Sequence, residues 1–307
     1  MKKTVLGVLS TVLVVGMLAG CGGKKDESAS SSPSTSAAPA TTAPSTAPST
    51  APTAAPAEAK YADGVYYAEG ADFDAKTGWK EVVALKVEGG KITNVNWTGL
   101  NKDGGIDKKT YAAQGKYGMK KAGSALEWNE QAAKAEAFLI EKQDPKEIPF
   151  DKDKGTTDAI TGVSIHVSGF AELAEKALAA GPVQAGPYKD GTYHAEAADF
   201  DKDSGWKDTV DVTVLNGKIF AVRWSGVNKD GADKVQFSKD GKYGMKKGGA
   251  SSEWHEQSLL AEKALLEKQD PAAITVKDDG KTDAISGVSI HVAGFTTLAA
   301  KALEGAK

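Results

Sequence analysis

The chain repeats itself, and this constrains the fold before any single residue is weighed. Residues 61–181 align with residues 188–307 at a period near 126, matching Trp79 to Trp206, Trp97 to Trp224, Trp128 to Trp254 and Asp158 to Asp283. The offset falls from 127 to 126 beyond Asn101/Asn228 and to 125 beyond Pro145/Pro271, so two single-residue deletions in the second copy account for every change of register. The period is that of a whole domain, too long for a solenoid unit. Each copy, at about 120 residues, is long enough to bury a core of its own. Residues 182–187 form a junction short enough to hold the copies near each other.

Both copies read in the same order. Glu81–Glu88 and Lys91–Trp97 flank Gly89-Gly90, while Asp208–Leu215 and Lys218–Trp224 flank Asn216-Gly217, the residue types of a two-residue type I′ hairpin. Val210, Val212 and Val214 alternate, as do Phe220, Val222 and Trp224, which predicts a sheet with one buried face. Further strands are expected at Gly64–Ala68 and Gly191–Ala195. Ser124 and Glu127 suggest a capping box for a helix through Gln143 that stops at Asp144-Pro145. Trp128, Ala132, Ala135 and Leu139 share one face of it, so Trp128 reads as core. A last helix over Gly169–Ala180 buries Phe170, Leu173, Ala174 and Ala177. The expected class is α+β, with a small antiparallel sheet and packed helices used twice.

The start of the chain is of another kind. Lys2-Lys3 precede an apolar run, Val5 to Leu18, that reads as a secretory signal and is short for a membrane span. It ends Leu18-Ala19-Gly20-Cys21, which resembles a bacterial lipobox. The expectation is a signal peptide over 1–20, cleavage before Cys21 and lipid (palmitate and its kin) on that thiol, placing the protein on the extracellular face of the cell membrane. Cys21 is the one cysteine of the sequence, which rules out an intramolecular disulfide and a thiolate metal cluster. Residues 21–60 are Pro, Ser, Thr and Ala with almost nothing to bury, and read as a disordered tether. Its reach lies between roughly 35 Å as a coil and about 120 Å as polyproline. The formal charge of −3, more negative still without Lys2 and Lys3, argues against nucleic acid as a partner.

The most detailed feature of the duplication is a loop. It reads Thr157-Asp158-Ala159-Ile160-Thr161-Gly162-Val163-Ser164-Ile165-His166-Val167 and again Thr282-Asp283-Ala284-Ile285-Ser286-Gly287-Val288-Ser289-Ile290-His291-Val292. Gly162 and Gly287 permit a tight turn or a close backbone approach. Ser164 and Ser289 then offer a hydroxyl ahead of a helix, where free N–H groups favour a phosphate. The G-x-S-x-G nucleophile elbow is not matched, since His166 and His291 stand at the last glycine, which argues against a serine hydrolase. Asp158 and Asp283 have an ordinary reading as loop caps bonding to nearby N–H groups. His166 and His291 have no second ligand of metal-site spacing, because His194 and His255 are not matched across the repeat. They read as hydrogen-bonded histidines at a helix start, and no metal site is expected.

Asp-x-x-Ser/Thr-Gly-x-Ser/Thr resembles the flavinylation motif of FMN-binding domains, with Val163/Val288 and Ser164/Ser289 in place of that family's Ala and Thr. The wider match includes Gly-Trp-Lys, Asn-Lys-Asp-Gly, Lys-Tyr-Gly-Met-Lys-Lys and Glu-Lys-Gln-Asp-Pro. It resembles the tandem-domain lipoproteins of Gram-positive extracellular electron transfer, also known as peptide-pheromone lipoproteins, over nearly all of 61–307. The resemblance implies two covalent FMN groups on Ser164 and Ser289, attached by a separate flavin transferase. Asp158, Thr161 and Gly162, with Asp283, Ser286 and Gly287, would be recognised with them. Tyr-Gly-Met at Met119 and Met245 reads either as a flavin lining or as a helix-capping turn. No residue is expected to be catalytic. The implied role is an electron carrier fed by a membrane quinol or NADH oxidase system and discharging to extracellular acceptors. The rival readings are a cell-envelope binding or structural module, a flavin-donor subunit for an extracellular reductase, and a pheromone precursor whose peptide is Leu13–Gly20.

Overall fold

The computed structural model describes residues 60–307. The expected signal peptide, Cys21 and the tether up to residue 59 lie outside the described residues. The first copy runs β1 (Gly64–Glu69), β2 (Trp79–Glu88), β3 (Lys91–Asn101), α1 (Lys108–Ala113), α2 (Trp128–Lys142), a 3₁₀ turn at Pro145–Glu147 and α3 (Ser168–Ala180). The second repeats this order as β4 (Gly191–Glu196), β5 (Trp206–Leu215), β6 (Lys218–Asn228), α4 (Lys234–Lys239), α5 (Trp254–Lys268), a 3₁₀ turn at Pro271–Ala273 and α6 (Ala293–Glu304). Each copy is an α+β unit with a three-stranded antiparallel meander, β1-β2-β3 or β4-β5-β6.

The hairpin turns are set by their two central residues. Gly89 and Gly90 have φ of 60° and 73°, and Asn216 and Gly217 have 51° and 74°, the paired positive values a type I′ turn needs. One side of each sheet is covered by the long helices. Trp128, Ala132, Ala135 and Leu139 of α2 and Phe170, Leu173, Ala174 and Ala177 of α3 are all buried with Val83, Leu85 and Trp97. The expected cap of α2 is corrected: Glu127, not Ser124, is the N-cap, and it exchanges bonds with Glu130 in a capping box. The Ser124 hydroxyl instead donates to Leu126 O.

The expectation of one buried face per sheet is also corrected, because the copies pack on one another. Val82 and Ala84, on the opposite side of β2 from Val83 and Leu85, form a second cluster with Leu215, Phe220 and Ala221 of the other copy. A register shift between Thr213 and Val214 breaks the simple alternation of β6. Phe220 therefore joins the inter-copy cluster, while Val222 and Trp224 stay in the core under the helices. Thr213 Oγ1 donates to Asp107 Oδ2 at 2.9 Å and Asn216 Nδ2 to Tyr66 O at 3.0 Å, so polar groups at this junction are paired.

Candidate functional site

The repeated loop precedes α3 and α6, and its shape is fixed locally by a glycine and a threonine. Gly162 and Gly287 have φ of 80° and 81°. A Cβ at Gly162 would lie 3.3 Å from Leu126 Cδ1, and one at Gly287 3.1 Å from Leu260 Cδ1, so both conformation and space call for glycine. The side chains that cap the loop are Thr157 and Thr282, whose hydroxyls accept from Ala159 N at 3.2 Å and Ala284 N at 3.0 Å. Capping therefore does not fall to Asp158 or Asp283. Both are exposed, and Asp283 makes an ion pair with Lys277 at 3.1 Å. Thr161 and Ser286 are exposed as well.

Ser164 and Ser289 are exposed, yet each is tied to a buried glutamine. Ser164 N and Ile165 N donate to Gln131 Oε1 at 2.7 and 3.2 Å, and Ser164 Oγ donates to the same oxygen at 3.2 Å. Ser289 and Ile290 make the same three bonds to Gln257 at the same lengths. The histidine reading is corrected in part: His166 and His291 stand one residue before the helix N-caps Val167 and Val292, but among the described residues they make no side-chain hydrogen bond and lie exposed.

Ser289 stands on the rim of a cleft of about 1130 Å³, whose walls include Trp206, Tyr243, Met245 and Trp254, with Lys234 among them. Lys234 is 5% exposed, lies 4.4 Å from the Trp254 ring centroid and pairs with Asp208 at 2.8 Å. Its counterpart Lys108 is 6% exposed, 4.2 Å from the Trp128 centroid and 3.3 Å from Glu81. Burial holds the Lys108 ammonium below the usual lysine range, a shift Glu81 opposes. Behind these lysines, Trp97 stacks on Phe170 at 4.8 Å and meets Trp128 edge-on at 5.1 Å, and Trp224 repeats this with Phe295 and Trp254. At the buried tryptophan the copies differ. Trp224 Nε1 donates to Asp208 at 3.3 Å, whereas Trp97 Nε1 is buried without a partner.

The Tyr-Gly-Met turn closes onto the carboxylate that caps the next helix. The amides of Met119 and Lys120 donate to the Glu127 carboxylate at 2.9 and 3.2 Å, and those of Met245 and Lys246 donate to Glu253, each at 3.1 Å. The same turn places Tyr243 and Met245 in the cleft wall.

No protein-family model matches the chain, and no curated protein matches it. Two solved structures are similar to it. A solution structure from Clostridium thermocellum is 50% identical, covering 38% of this chain and 90% of its own, with a TM-score of 0.32. A crystal structure from Clostridium perfringens is 32% identical, covering 39% of this chain and 88% of its own, with a TM-score of 0.31.

Four residues of the site escape a reading by motif: Lys108, Lys234, Gln131 and Gln257. Their signal is repetition. Asp-Lys recurs at Asp107-Lys108 and Asp233-Lys234, and Glu-Trp-x-Glu-Gln recurs at Glu127–Gln131 and Glu253–Gln257.

Proposed function

We propose that the protein is a lipid-anchored, extracellular electron carrier that holds two FMN groups covalently, one on Ser164 and one on Ser289. The observation that carries this reading is the placement of the Ser289 hydroxyl, on an exposed loop at the edge of an aromatic cleft containing the buried Lys234, with Ser164 held by the same three bonds in the first copy. The residues fit the group. Tyr243, Met245 and the tryptophans offer apolar and aromatic surface to a planar ring, while Lys234 offers a charge kept from water. Trp97 Nε1 in the first copy is a donor still lacking an acceptor. FMN held there would supply the redox chemistry, and the chain would bind and orient it. Asp158 and Asp283, free of capping duty, are left for a flavin transferase to recognise. The remaining partners are a membrane quinol or NADH oxidase system as donor and the lipid bilayer, reached through Cys21.

The test is chemical. Protein coproduced with a flavin transferase is expected to stay yellow after denaturation and to carry FMN on both motif peptides. Ser164→Ala is expected to remove one FMN and Ser289→Ala the other. FMN found on Thr161 would move the assignment, and a colourless protein would favour a binding or structural module. Asp158→Ala is expected to abolish modification of the first copy while costing about 1 kcal/mol of stability or less, since the side chain is exposed and caps nothing. Chemical denaturation beside peptide mass spectrometry separates the two effects.

A further inference from the structure

Gln131 and Gln257 are each 1% exposed and sit on the inward faces of α2 and α5. Their orientation is determined by their other contacts. Gln131 Nε2 donates to Leu126 O at 3.1 Å and to Ser124 Oγ at 3.3 Å, and Gln257 Nε2 donates to Ser252 O at 3.3 Å, so in both copies the carbonyl faces the loop. Two of the bonds that carbonyl accepts, from successive backbone amides, clamp the loop. The third has a separate consequence. On an exposed loop a serine hydroxyl turns freely, and the bond from Oγ to Gln131 selects one rotamer. At 3.2 Å it is longer than a strong O–H···O bond, so the proton is steered without being trapped. Thr161 and Ser286, the competing hydroxyls three residues earlier, are exposed and have no such bond among the described residues.

We propose that Gln131 and Gln257 are positioning residues for flavin attachment, which select Ser164 and Ser289 over Thr161 and Ser286 and present their hydroxyls to the incoming phosphate. The inference rests on the covalent-FMN reading. In the step it serves, Ser164 Oγ bonds to the FMN phosphorus of a flavin dinucleotide as the bond from that phosphorus to the bridging oxygen breaks. AMP leaves with the bridging oxygen, the hydroxyl proton passes to a base of the transferase, and nothing is oxidised or reduced. Gln131 takes no proton. Once Oγ is esterified it has no hydrogen to donate, so the third bond ends and the two amide bonds keep the loop in place.

The experiment uses the full chain coproduced with a flavin transferase, with FMN on each motif peptide counted by mass spectrometry. Gln131→Met keeps the volume and removes the acceptor. It is expected to lower FMN on Ser164 by roughly tenfold or more, the order of effect that misplacing a reacting group has, while Ser289 of the same molecules stays modified. Gln131→Glu restores an acceptor and is expected to recover Ser164 occupancy to within about threefold of wild type. Unchanged Ser164 occupancy in Gln131→Met overturns the proposal. So does a Gln131→Glu protein that fails as completely as Gln131→Met, which would mark a structural role. Wild-type protein lacking FMN at both serines would overturn the flavin reading itself. A further measurement needs no variant. In protein made without the transferase, the amides of Ser164 and Ile165 are expected to exchange hydrogen far more slowly than that of Thr161, and equal rates would overturn the clamp.

Discussion

Glu136 and Glu262 show how one substitution between otherwise matched copies changes a side chain's chemistry. Both are buried, and both accept a strand amide, from Trp97 N at 2.6 Å and from Trp224 N at 2.8 Å. Glu136 also receives Lys109 Nζ on its two oxygens at 2.7 and 2.8 Å. The matching position of the second copy is Val235, so Glu262 has no lysine on it, and burial pushes its carboxyl up to about 8 against the opposing pull of Trp224 N–H and Arg223. Below the ordinary carboxylate value of 4.5 both states are protonated. Between there and about 8 the unfolded chain ionises while the folded one does not, so stability declines with rising pH, and the loss is complete above about 8. Glu262→Gln is expected to flatten this decline, making the variant the more stable protein at pH 8 and leaving it close to wild type at pH 4.5. Val235→Lys should instead pair the carboxylate and lower its pKa. Denaturant midpoints across that pH range check both.

At the scale of elements, the repeated Gln-Asp-Pro joins a helix to a hairpin. Gln143 and Gln269 end α2 and α5 in the left-handed region, with φ of 61° and 60°. From there each side-chain amide meets the strand that follows the hairpin turn: Ile92 N donates to Gln143 Oε1 at 2.7 Å, and Gln143 Nε2 donates to Ile92 O at 2.9 Å. Gln269 does the same with Ile219 at 2.7 and 2.8 Å. Gln143→Ala keeps the unfavourable φ and loses both bonds, an expected cost of about 1–3 kcal/mol. Gln143→Gly loses the bonds but relieves about 1 kcal/mol of left-handed strain. It should therefore be the less damaged of the two, an ordering that thermal or denaturant unfolding reads directly. The helix, its stop and the hairpin were all legible in the sequence. The bridge between them was not, because it depends on a side chain meeting a backbone about fifty positions away.

Across the whole described molecule, the copies meet through different surfaces. The first copy contributes Val82 and Ala84, with Leu100 packed against them, and the second contributes Leu215, Phe220 and Ala221. The matching positions are Thr209, Asp211 and Val227 in the second copy and Glu88, Thr93 and Asn94 in the first, of which Thr209 and Asp211 are half-buried and the rest exposed. Asp211 is further occupied by His194 at 2.7 Å. A head-to-tail contact of this kind would propagate if both free ends kept the apolar patch. Five of these six positions are polar, so neither free end repeats the apolar patch. Ala221→Asp, which sets a charge at a position 2% exposed, is expected to separate the copies and divide a single cooperative unfolding transition into two.

What the sequence determined by itself is what depends on near neighbours along the chain. The duplication, the two-residue hairpins, the helix faces carrying Trp128 and Phe170 and the Gly-x-Ser loops all follow from spacing and residue type. Tertiary structure decided whatever needs a distant partner. The capping role moved from Ser124 to Glu127 because the Met119 turn folds back onto that carboxylate. The six-residue helices α1 and α4 are too short to announce themselves by periodicity, and they are capped by Asp107 and Asp233, whose carboxylates are held from other elements by Thr98 and Thr213 or by Arg223 and Ser225. The second buried face of β2, the lysines set over tryptophan rings and the glutamines beneath the serines were invisible to pattern reading for the same physical reason. Periodicity reports which face of an element is apolar, while the neighbour that face meets is fixed only when the chain closes on itself.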